Sequence, residues 1–401
     1  PGSHAPLSQA HIMYGAIIGD VIGSPYMFVN TDDRYFDLGK GVRGWSKGRE
    51  VTFHPKTTDV TNLLYGVSRW MINDPSRFSS RLVSTLQETL RSHAESVHSP
   101  FLQRWMNSDS PRPSSKDDGS AIICVIPVAL AAGTLPEAIS SARFVASSLC
   151  SSSDAINASE ALGQAIWMAR HGRSKDDISF AMQNDFEINT RISEQDIRAE
   201  LSGATKEPIV VNGIETGEHY YRESGKIARD SLTLLTGALH AFFKGDSFED
   251  SVRHAVALGG ASNTVTSIAG ALAEAFHGSV PEKISGLCAT YISSDIKAGI
   301  KSYESICIQK KESSKSLPKV SDNSFNIIKL NDGQKIFSVA SYRTDIINAL
   351  KQRFGSEIVI LNPWESQVML RNIMANIKSG TYLEDSRPDV RTVYFQNGEF
   401  R

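Results

Sequence analysis

Four short loops carry the residues whose types and spacing could do chemistry. "YGAIIGDVIGSPY" (14–26) repeats Gly15, Gly19 and Gly23 at every fourth position beside Asp20, which lines small side chains along one helix face for close packing. "KTTDVTNLLYGV" (56–67) clusters Thr58, Asp59 and Thr61 where a helix begins, a set that a plain N-cap explains. "DDGSAIICVIP" (117–127) places two acids, Gly119 and Ser120 before an apolar run, which a capped turn also explains. In "ALGGASNTVTSIAGALAEAFHG" (257–278), Gly259 and Gly260 make a turn and Thr264 sits where an N-cap belongs. Val265, Ile268, Leu272 and Phe276 then mark one apolar face. Paired glycines ahead of a helix point to something approaching the backbone closely. Yet Ala261, Ser262 and Asn263 carry no charge.

The elements that must position these loops are helices. From about residue 10 to 310 the apolar spacing is helical: Leu63, Leu64, Val67, Trp70 and Met71 share a face, and "ISSARFVASSL" repeats the pattern. "ASEALGQAIWMARHG" ends in Arg170 and His171 before Gly172, a helix C-terminus. "DSLTLLTGALHAFFKG" is apolar almost all round, as suits a helix inside a bundle. Residues 200–222 read as an excursion with a short hairpin at Asn212-Gly213. Residues 309–323, rich in Lys and Ser, read as a linker. Beyond it "FNIIKL", "KIFSVAS", "EIVILN" and "RTVYFQN" predict strands, with helices over "RTDIINALKQRF" and "SQVMLRNIMANIKSG". The expected organisation is an all-α domain over 11–308, a linker over 309–323, and a small α/β C-terminal module over 324–401.

Composition narrows the functional classes. The 401 residues are 40% hydrophobic and 21% charged with a formal net charge of −2, so no basic field points to nucleic acid or a membrane surface. Cys124, Cys150, Cys288 and Cys307 lie apart, without CxxC or Cys/His spacing. They read as reduced, buried thiols of a cytoplasmic protein, in the producing cell or a host cell. The first four residues, "PGSH", read as a cloning remnant.

Taken in order and at these separations, the loops resemble the ADP-ribosylglycohydrolase family, which includes dinitrogenase reductase-activating glycohydrolase and the ADP-ribosylarginine hydrolases. "GAIIGDVIGSPY" resembles the family's opening motif. "ESGKIARDSLTLLTGALHAFFKGDSFEDSVRHAVALGG" with "TVTSIAGALAEAFHGSVP" resembles its closing helices and Gly-Gly loop. The resemblance spans about residues 11–285 and implies a helical fold with a central cleft. In the family that cleft holds two magnesium ions and binds ADP-ribose, whose glycosidic bond to a protein side chain is hydrolysed. It further implies ligand-binding roles for Asp20, Met27, Gly119, Ser120, Ser151, Gly225, Gly259, Gly260 and Ser262.

The departures fall on the metal. The family's Thr-Asp-Asp-Thr is here Thr58, Asp59, Val60, Thr61, and its Gly-Gly-Asp-x-Asp-Thr is Gly259, Gly260, Ala261, Ser262, Asn263, Thr264. One of four carboxylates, Asp59, remains. Met27 stands where the opening motif commonly continues into a glutamate, Cys150-Ser151 where a Thr-His pair is common, and Ile122-Ile123 where Met-Arg is usual. A second Thr-Asp-Asp, at Thr31, Asp32 and Asp33, is followed by no helical period and reads as a solvated loop.

Magnesium wants an octahedron of oxygens, and a helix N-terminus repels a cation unless acids offset it. Thr58, Asp59, Asn263 and Thr264 are thus residual metal positions, with no cofactor expected beyond at most one weakly bound magnesium. N-termini stripped of carboxylates become better places for phosphate. The leading reading is a protein that recognises ADP-ribose or an ADP-ribosylated protein without binuclear hydrolysis. Two alternatives stay open: an enzyme of altered, metal-poor chemistry on an ADP-ribosyl or related nucleotide substrate, with Asp59 as the catalytic acid/base, or a non-catalytic scaffold. Expected partners exclude nucleic acid and membranes and include a protein docking on the C-terminal module.

Overall fold

Short polar side chains start the helices. In the computed structural model Thr58, Ser99, Thr134, Ser152 and Asp230 each accept an N–H from the first turn of the helix they precede, satisfying donors that the helix cannot. The structure describes residues 12–27, 29, 31–74, 81–211, 213–222, 227–314, 324–329, 335–339, 344–355, 359–361, 389–396 and 399–400. In chain order the helical part comprises α1 (Tyr14–Gly23), β1 (Val42–Ser46), β2 (Arg49–Phe53), α2 (Asp59–Asn73), α3 (Arg81–Ser92), α4 (Pro100–Met106), α5 (Ser120–Ala131), α6 (Leu135–Leu149) and α7 (Ser153–Arg170). It continues with α8 (Lys175–Phe186), α9 (Glu194–Leu201), β3 (Ala204–Val211), β4 (Ile214–Arg222), α10 (Ser231–Lys244), α11 (Phe248–Leu258), α12 (Ser262–His277), α13 (Glu282–Cys288) and α14 (Ser294–Ser314).

The glycine repeat of the first helix has a direct structural use. Every residue of α1 is buried, and α1 lies backbone to backbone against α12. A Cβ on Gly15 would stand 2.5 Å from the Gly270 carbonyl oxygen, and one on Gly23 2.5 Å from that of Ser262. Only the absence of side chains permits that approach. α5, buried over its whole length, packs against α6 and α7. It contains Pro127, whose carbonyl accepts the Tyr303 hydroxyl of α14 at 2.6 Å.

Two antiparallel hairpins interrupt the helices. β3–β4 occupies the excursion that the sequence points to, with Gly213 at φ +78° in the turn. β1–β2, turning through Lys47 and Gly48 at φ +49° and +76°, falls within the stretch expected to be all-α. α12 begins at Ser262 with Ala261 at its N-cap and no side-chain cap, three residues earlier than a Thr264 cap would place it. α14 runs on to Ser314, into the stretch read as linker.

The C-terminal strands β5 (Ser324–Lys329), β6 (Lys335–Val339), β7 (Val359–Leu361), β8 (Asp389–Gln396) and β9 (Glu399–Phe400) form one sheet in the order β7-β6-β5-β8-β9. β6 and β7 run parallel through α15 (Thr344–Phe354), and the other pairs are antiparallel. The helix expected over "SQVMLRNIMANIKSG" lies outside the described residues. All four cysteines are free and buried. Among the described residues no helix is long and apolar enough to cross a membrane.

Candidate functional site

The N-terminus of α2 is tied to α1 by one buried carboxylate. Asp20 accepts the Thr58 N–H at 2.8 Å and the Thr58 hydroxyl at 2.7 Å. It also accepts the Thr61 N–H at 3.2 Å and the Thr61 hydroxyl at 2.6 Å. Burial pushes Asp20 up to about 6, against the pull of the Thr61 and Thr58 hydroxyls and the Thr58 N–H and with a further push from the Asp59 charge. Thr58 Oγ accepts in turn from the Val60 N–H at 3.2 Å and from Asn263 Nδ2 at 3.0 Å. The hydroxyl thereby gives its one proton and fills both lone pairs. The Asn263 amide joins α12 to α2 at the point where both helices begin.

Beside this junction lies a cleft of about 410 Å³. Met27, Val60, Leu63, Phe101 and Ile123 give it apolar walls, and Asp59, Asp117 and Asp118 face it as well. The carboxylates are engaged. Asp59 accepts the N–H groups of His98 and Ser99 at 3.3 and 3.2 Å, holding the segment that enters α4. Asp118 accepts the Ser99 hydroxyl at 2.8 Å and the Ser120 N–H at 3.1 Å. Asp117 accepts the Ser231 N–H at 2.6 Å, the Ser231 hydroxyl at 2.9 Å and the Gly119 N–H at 3.1 Å. Burial raises Asp117 above the usual carboxylate range while its Ser231 and Gly119 bonds pull it back. Each acid stitches one cleft segment to another.

Of the residues singled out from the sequence, Met27, Asp59, Gly119, Ser120, Asn263 and Thr264 line the cleft. Asp20 and Thr58 lie buried directly behind it, joined to Asn263 by the bonds above. Gly259, Gly260 and Ser262 are not among the lining residues. Gly260, at φ +70°, faces α9 instead: a Cβ there would stand 2.7 Å from the Leu201 carbonyl oxygen. The Ser262 hydroxyl donates to the Tyr26 carbonyl at 3.3 Å. Ser151 also lies off the cleft, its hydroxyl donating to the Ser114 carbonyl at 3.3 Å. Gly225 falls outside the described residues. The helix-start amides of Val60, Thr61, Gly119 and Ser120 already have acceptors in Thr58, Asp20, Asp117 and Asp118. This departs from the expectation that stripped N-termini leave such amides open to phosphate.

Sequence reasoning missed His98, Phe101, Arg104, Lys116 and Arg229, all of which line the cleft. They come from three segments without a shared motif. The nearest signal was Ser99-Pro100, an N-cap followed by proline that opens α4. Among the described residues no group of three or more His, Cys, Asp or Glu is arranged to hold a metal ion.

The model of the ADP-ribosylglycohydrolase family matches residues 10–306. Among solved structures, a chain described as "ADP-ribosylglycohydrolase-related protein complex" is 18% identical. The match covers 75% of this chain and 97% of that one, with a TM-score of 0.49. A search of curated proteins found no significant match.

Proposed function

Because the chain belongs to the ADP-ribosylglycohydrolase family, we propose that its cleft recognises ADP-ribose, or an ADP-ribosylated protein, without the family's binuclear magnesium hydrolysis. The observation that carries this reading is the Asn263–Thr58 bond at 3.0 Å. It occupies with a neutral amide and a hydroxyl the junction where the family's two metal motifs meet. Val60 and Ala261 offer no side-chain donor, and Thr58 Oγ has no lone pair to spare. Within the two motif stretches, 58–61 and 259–264, Asp59 is the one carboxylate, and two backbone amides are already on it. That donor set does not fit two octahedral dications. The apolar walls remain, as a nucleoside requires. Four free, buried thiols suit a reducing compartment such as the cytoplasm.

Calorimetry with ADP-ribose, in magnesium and in chelator, tests the reading. The expected result is micromolar affinity, about −8 kcal/mol, equal in both buffers. Absence of heat at millimolar ADP-ribose, or magnesium-stimulated release of ADP-ribose from an ADP-ribosylated arginine substrate, overturns it.

A further inference from the structure

Three cations of the cleft stand out because no described residue pairs with their side chains. Arg104 on α4, Lys116 ahead of α5 and Arg229 ahead of α10 all line the cavity and are exposed. Among the described residues none of them makes an ion pair or a side-chain hydrogen bond. The three acids around them are bonded differently: each accepts from amides or hydroxyls, and among the described residues none pairs with a cation.

The stitching determines where the cations stand. The Ser99–Asp118 bond fixes the start of the α4 helix that carries Arg104. The Asp117–Ser231 pair of bonds fastens the segment after Lys116 to the segment after Arg229. Gly119, at φ +81°, completes the fit, for a Cβ there would stand 2.8 Å from the Arg229 carbonyl oxygen. Carboxylates hold three separate segments around one cavity, and each segment brings one unpaired cation to its wall.

We propose that Arg104, Lys116 and Arg229 form a subsite for the diphosphate of a nucleoside-diphosphate ligand, neutralising with side chains the charge of an anion that enters without a metal. The subsite rests on the cleft taking ADP-ribose, and it moves the anion from the helix-start amides to the cleft's side chains. Arginine suits the task because its planar fork matches phosphate oxygens two at a time, while lysine adds a mobile point charge. Apolar Met27, Val60, Leu63 and Phe101 on the same cavity leave a wall for the uncharged part of the ligand.

The test is calorimetry on the full chain with ADP-ribose, ADP, inorganic pyrophosphate and adenosine. It compares the wild type, Arg104→Ala, Lys116→Ala, Arg229→Ala, the triple variant and the charge-keeping Lys116→Arg. All three positions are exposed, and circular dichroism and melting confirm that each variant is folded. Each alanine should weaken ADP-ribose, ADP and pyrophosphate roughly tenfold and leave adenosine unchanged, with Lys116→Arg close to the wild type. Affinity for the anions should also fall as salt rises. If the triple variant binds ADP-ribose as tightly as the wild type, the subsite is wrong and the proposed function stands. If pyrophosphate and ADP bind and are lost in the triple variant while ADP-ribose does not bind, the subsite stands and the proposed function falls. If no probe binds, both fall.

Discussion

Asn263 sits where a single atom decides the chemistry. Its Nδ2 donates to a Thr58 hydroxyl whose own proton already goes to Asp20. Asn263→Asp would therefore set an acceptor against an acceptor in a buried place, at a cost of about 1–3 kcal/mol. Thermal denaturation should show the variant melting several degrees below the wild type at pH 8. The gap should narrow at pH 5, where the new carboxyl gains a proton to donate. Equal melting temperatures at pH 8 would mean that the amide holds nothing together. The residue scale is also where the sequence was most uneven as a guide. Asp59 and Asn263 were legible because local motifs carry them, and the structure puts both on the cleft. Gly259-Gly260 misled: a glycine pair announces a close approach without saying to what, and Gly260 meets Leu201 of the protein itself. Arg104, Lys116 and Arg229 had no signal, because their convergence depends on bonds between segments more than a hundred residues apart in one case.

At the scale of elements, the crossing of α1 and α12 governs both packing and pH response. Its geometry was half legible, since a four-residue glycine repeat identifies a packing face but not the helix that fills it. The same crossing buries Glu274 of α12, whose Oε2 accepts the Gly15 N–H at 2.7 Å and whose Oε1 has no hydrogen-bond partner among the described residues. Burial raises its pKa well above the usual carboxylate value, Glu304 adds to the rise, and Arg170 and the Gly15 bond oppose it. With the folded value above the unfolded one, Glu274 contributes stability that is complete below about pH 4, near the unfolded carboxyl's pKa. That contribution is lost as pH rises through the folded value. Glu274→Gln keeps an acceptor for Gly15 and removes the titration. Its unfolding free energy in denaturant titrations should vary less from pH 5 to 8 than the wild type's. A steeper slope in the variant would show that the charged form is the one the fold prefers.

For the whole molecule, the helical part was legible as a class and its last boundary was not. α14 reads as polar along much of its length, yet Ile296, Ile300, Tyr303 and Cys307 are buried, and the helix packs on α2 and α5. A polar average hides a narrow apolar stripe of that kind. A chain cut after residue 314 should keep the cooperative melting of the helical part, whereas one cut before residue 294 should unfold at markedly lower denaturant. Deleting α14 strips the Tyr303 hydroxyl from Pro127 and exposes the apolar surface of α2 and α5 that its stripe covers. Equal midpoints for the two truncations would make α14 an ornament. The junction of α1, α2 and α12 has one more implication, for the protein in a living cell. A joint made by an amide and a hydroxyl is complete once the chain has folded, and it waits on no ion supply. If the cleft takes its ligand without magnesium, as proposed, then magnesium starvation, chelating metabolites or competing manganese would leave it ready under conditions that silence a metal-built one.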